Sequence, residues 1–94
     1  MPVTTCYIEK TARATPEEIF AAARQLTGAA FKLFIYFDSF IESHFVYERT
    51  PTEKILNLNL TTLNRAFKDL CDTNYLVCKN KNFYTFCTNP AQIT

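Results

Sequence analysis

Ninety-four residues suffice for one domain, with limited stability to spare. Hydrophobic residues make up 48% of the chain, including nine Phe and five Tyr, which excludes a disordered segment and calls for a packed core. The formal charge of +1 is neither the balance of a strongly basic nucleic-acid binder nor that of an acidic mimic.

The charge is unevenly spread. Residues 1–45 carry four basic and five acidic side chains, whereas residues 46–94 carry six basic and four acidic ones. A single Gly leaves Asn to serve the turns that need positive φ.

In chain order, residues 1–14 are an N-terminal arm or strand, with Val3 to Ile8 read as an edge strand or an ordered arm, able to supply a third strand beside a later hairpin. Residues 15–26 are a helix: Thr15 is an N-cap hydroxyl, Pro16 takes the first helical position, and Glu17 and Glu18 face the positive end of the dipole. Ile19, Ala22, Ala23 and Leu26 are its buried stripe. Thr27 caps the next helix, residues 28–42, which is apolar on most of its circumference and therefore central. Its main stripe is Ala30, Leu33, Phe34, Phe37 and Ile41, while Lys32, Asp38, Ser39 and Glu42 want water. Phe31 and Ile35 lie to one side, expected under the first helix; left uncovered, they are a dimer or partner surface.

Residues 50–73 read as two helices around a tight turn. Thr50 is expected to cap the first of them, with Pro51 at its first position. Asn57 suits the positive-φ residue after a helix and Asn59 the cap of the next. Leu63, Ala66, Phe67, Leu70 and Cys71 then recur at helical period, with Thr61, Thr62, Asn64, Arg65, Lys68, Asp69 and Asp72 opposite them. Asn74 again stands where a C-terminal cap favours Gly. Residues 75–88 alternate and are rich in aromatics, split near Asn80-Lys81-Asn82 into a hairpin that Asn89-Pro90 ends. The prediction is an α+β, mainly α domain of about four helices: a helix-turn-helix followed by a β-hairpin wing.

Four segments carry a family resemblance: Ala30-Phe31-Lys32-Leu33-Phe34, Leu56-Asn57-Leu58-Asn59, Thr62 to Leu70, and Asn74-Tyr75-Leu76-Val77. Together they resemble the winged helix-turn-helix domains of replication initiators and small regulators of phages, plasmids and Gram-positive bacteria. In that family an AFKLY-type helix, an LGLS turn, an AL-x-x-L recognition helix and a GYL wing start follow in the same order. The resemblance spans residues 27–88, with Asn in place of Gly at positions 57 and 74. It implies that Thr61, Thr62, Asn64, Arg65 and Lys68 lie on the exposed face of a recognition helix. It also implies that Lys79, Asn80, Lys81 and Asn82 form a wing tip beside the phosphate backbone.

These residue types suit double-stranded DNA. Arg65 can bind guanine bidentately and Asn64 adenine, and the Thr61 and Thr62 methyls can meet thymine. Lys54, Lys68, Lys79 and Lys81 suit phosphates. The expected function is sequence-specific regulation or replication initiation in a phage, plasmid or bacterium, as a homodimer or as one module of a replication or regulatory complex. A second reading is a protein-binding winged helix, such as a phage-encoded inhibitor of a host machine, favoured by the near-neutral charge. In that reading the helix face is merely solvated, with Arg65 and Asp69 paired at i, i+4.

Neither catalysis nor metal binding is expected. His44 is the lone histidine, Cys6, Cys71, Cys78 and Cys87 contain no CxxC pair, and no glycine-rich phosphate loop occurs. With no apolar signal or membrane-spanning run in view, free thiols in the cytoplasm are expected, with no cofactor.

Overall fold

A computed structural model describes residues 5–10 and 12–88. Val3 and Thr4, expected to open the first strand, and Asn89-Pro90, expected to close the sheet, lie outside the described residues. The chain runs β1 (Thr5–Lys10), α1 (Pro16–Gln25), α2 (Gly28–Asp38), β2 (His44–Glu48), α3 (Arg49–Leu56), α4 (Leu60–Asp72), β3 (Leu76–Asn80) and β4 (Phe83–Phe86). It is an α+β fold of four helices and one mixed four-stranded sheet, ordered β2-β1-β4-β3.

The N-terminal strand is interior, not the expected edge. β1 pairs antiparallel with β2, through Tyr7↔Val46, and parallel with β4, through Tyr7↔Phe83 and Ile8↔Tyr84. Its two faces explain why. Ile8 is buried against the helices, whereas Tyr7 is 52% exposed on the opposite face. Residues 44–48, with buried Phe45 and Tyr47 alternating with exposed neighbours, supply the extra strand that encloses it.

All four inner strand faces meet one aromatic core. The Phe37 ring packs edge-on to Tyr47 and Phe86, with centroids 5.3 and 5.6 Å away, and Phe34 meets Tyr75 and Phe86 in the same way. Such edge-to-face contacts suit the ring quadrupoles. From α4, Leu63, Ala66 and Leu70 are fully buried, while Phe67 and Cys71 pack at the margin.

Helix α2 stops at Asp38, four residues short of its expected end, and leaves Ile41 88% exposed. Two residues account for the stop. Lys10 Nζ donates to the carbonyls of Asp38, at 3.1 Å, and Phe40, while the Asp38 carboxylate accepts from Ala14 N–H at 2.8 Å. Both side chains are buried, so Asp38 is not the solvent-facing residue its charge suggests. A cation at a helix C-terminus satisfies carbonyls left without intrahelical partners.

Candidate nucleic-acid interface

The turn between α3 and α4 is built by two asparagines. Asn57 adopts the left-handed conformation (φ 55°, ψ 47°) and closes α3 through its N–H to Glu53 O. Asn59 Oδ1 then accepts from Thr62 N–H at 2.8 Å and opens α4. Asn tolerates that backbone because its short polar side chain offsets the Cβ penalty. At the other end of α4, Asn74 (φ 68°) turns the chain into β3. Helix α3 begins differently from expectation. Its N-cap is Glu48, with no side-chain cap bond, because β2 runs directly into it; Thr52 Oγ1 donates back to Glu48 O at 2.6 Å.

On α4, Thr61, Asn64, Arg65 and Lys68 are exposed, spaced one turn apart opposite the buried Leu63–Ala66–Leu70 stripe. Thr62 is half-buried beside the cap. The expected Arg65–Asp69 pair is not formed. Asp69 Oδ2 instead accepts from Thr27 Oγ1 at 3.2 Å. Among the described residues, no salt bridge engages Arg65 or Lys68.

Of the three remaining cations, Lys54 is exposed in the last turn of α3 and Lys81 in the tight turn between β3 and β4. Lys79 stands apart from them. It reaches from edge strand β3 across β4 to Glu9 on β1, at 3.5 Å, where His44 Nε2 also approaches the carboxylate at 3.4 Å. Strand alternation puts Glu9 and Lys79 on the sheet face away from the helices. The structure therefore does not gather Lys79 with the α4 cations. Nor is the hairpin a free arm: Tyr7 N–H donates to Asn82 O at 2.7 Å, locking its tip against β1.

Sequence reasoning missed the Glu9–His44–Lys79 cluster, because its members are 35 or more positions apart in sequence and meet only through strand order. It did flag Phe31 and Ile35. Phe31 is half-buried and Ile35 exposed; with Lys32, Tyr36, Ser39, Ile55 and Leu56 they line an apolar groove of about 410 Å³ between α2 and α3. Helix α1 leaves this groove open.

The thiols are all free. Burial, reinforced by the Asp72 carboxylate, pushes the Cys71 thiol up to about 11, so it stays protonated at neutral pH. Among the described residues, no group of three or more His, Cys, Asp or Glu could hold a metal ion. Among the described residues, no helix is long and apolar enough to cross a membrane.

Comparison with protein-family models, with curated proteins and with solved structures finds no match to this chain.

Proposed function

We propose that the chain is a winged helix-turn-helix that binds double-stranded DNA through α4, as a regulator or replication-initiation module of a phage, plasmid or bacterium. The observation that supports this reading is the outer face of α4. Arg65 and Lys68 stand exposed beside Thr61 and Asn64 with no salt bridge among the described residues, and Asp69, one turn on from Arg65, is turned to Thr27. Arg65 and Asn64 are the base readers, and Lys54, Lys68 and Lys81 are the phosphate contacts that set register. Three such contacts predict a slope of about −3 for log K against log salt concentration.

The test is selection from a random duplex pool across a salt series, beside Arg65→Ala. Enrichment of one site, lost with Arg65→Ala and weakening with salt, supports α4 as the reader. Binding no tighter than roughly 100 μM, the weak end of non-specific affinity, would sink the idea.

A protein-binding reading has its own observation, the α2–α3 groove with Ile35 and Ile55 exposed at its rim. It predicts that Ile55→Glu abolishes a protein complex while leaving DNA affinity unchanged.

A further inference from the structure

The two edges of the sheet differ in how they are defended. Edge strand β3 carries Lys79 and an irregular register between Cys78 and Asn80, both of which discourage another strand from pairing. Edge strand β2, His44-Phe45-Val46-Tyr47-Glu48, has neither Lys nor Pro, and its register against β1 is unbroken. Lys10 N–H donates to Ser43 O at 2.6 Å, so in this antiparallel ladder residues 43, 45 and 47 direct their main-chain groups to β1. His44 and Val46 therefore point theirs outward, as Glu48 does its N–H, the Glu48 carbonyl being taken by Thr52 Oγ1. Their side chains are exposed as well, Val46 by 43%.

The sequence of β2 is complementary to its own reverse. We infer that β2 pairs antiparallel with β2 of a second copy of this chain, in a register centred on Val46, joining the two sheets into one of eight strands. A two-fold axis requires this direction, and the self-complementary contact closes at two copies. Val46 exchanges both main-chain bonds with its counterpart, and Glu48 N–H meets His44 C=O. On the outer face, His44 of each copy then stands opposite Glu48 of the other, flanking the Val46 pair. On the inner face, Phe45 stands opposite Tyr47. Hydrogen-bonding His–Glu and aromatic cross-strand pairs both favour this register over its neighbours, since a one-residue slip would set buried aromatics against exposed polar side chains. His44 keeps Glu9 beside it on β1, and Glu9 keeps Lys79, so the new pair adds to that network.

The test is sedimentation equilibrium of the full chain over a concentration series, with Val46→Lys, Val46→Glu and their equimolar mixture run in parallel. The expected result is a wild-type species of twice the 10.9 kDa chain mass. Each variant alone dissociates at least about tenfold more readily, as like charges meet on the axis. The mixture recovers the dimer, which neither a folding defect nor an interface elsewhere reproduces. Circular dichroism confirms that each variant is folded. A wild-type chain that is monomeric up to millimolar concentration overturns the proposal. So does a dimer that neither variant weakens, or a mixture that associates no better than its parts.

Discussion

Thr27 Oγ1 donates to Asp69 Oδ2 across 3.2 Å, fastening the N-cap of α2 to the third turn of α4. The same threonine accepts from Ala30 N–H, so one hydroxyl both opens a helix and takes an acid from the face proposed to meet DNA. Replacing Asp69 by Ala should lower stability only slightly, by about 0.5–1 kcal/mol for a solvent-accessible hydrogen bond. It should also tighten DNA binding, since a negative charge leaves the neighbourhood of Arg65 and Lys68. Denaturant titration and fluorescence anisotropy on a labelled duplex, both at low salt, read the two effects separately. Weaker binding by Asp69→Ala would contradict the α4 reading.

Lys10 is the contact that ends α2. Its buried ammonium holds the carbonyls of Asp38 and Phe40 from the end of a central strand. Lys10→Met keeps the stem and removes the donor, so it should destabilise the domain by about 1.5–3 kcal/mol. Urea unfolding at neutral pH measures this. A change under about 0.5 kcal/mol would show the carbonyls to be satisfied without it.

Phe37 is fully buried and packs against rings from β2 and β4. Phe37→Ala should cost about 3–5 kcal/mol, a large part of the 5–15 kcal/mol that holds a domain together. Exposed Phe20, on α1, is the control: Phe20→Ala should stay within about 0.5 kcal/mol of the wild type. Thermal melts of the pair check the contrast.

The domain should weaken in alkali. Burial is the leading cause that raises Cys71 from 9.0 to about 11, and it also lifts Cys6, Tyr47, Tyr75 and Tyr84 above their ordinary values. Each group holds its proton more tightly when folded. Its contribution is thus complete below the unfolded value and lost as pH rises through the folded one. For Cys71 that window runs from about 9 to about 11. Urea midpoints should hold level from pH 7 to 8.5 and fall beyond 9, less steeply in Cys71→Ala.

Much of the local structure is legible in the sequence because its causes are local. Thr15 with Glu18, Thr27, Asn57, Asn59 and Asn74 each act within a few residues, and each caps or turns the chain where its type predicts. The helical period of Leu63, Ala66 and Leu70 likewise identifies the buried side of α4, and with it the exposed Thr61, Asn64, Arg65 and Lys68. Thr50 is the exception, displaced as a cap because β2 runs into α3 without a break.

By itself, then, the sequence determined where the helices lie, the caps of α1, α2 and α4, the hairpin and the polar face of α4, since hydrogen bonds and apolar periods act over a turn or two of chain. Only the tertiary structure decided that β1 lies inside the sheet, that Lys10 terminates α2, that Asp69 serves Thr27 rather than Arg65, and that Lys79 crosses to Glu9. Each of those depends on groups 28 to 76 positions apart. Such pairings follow from which strands become neighbours, and strand order is set by how the whole core packs.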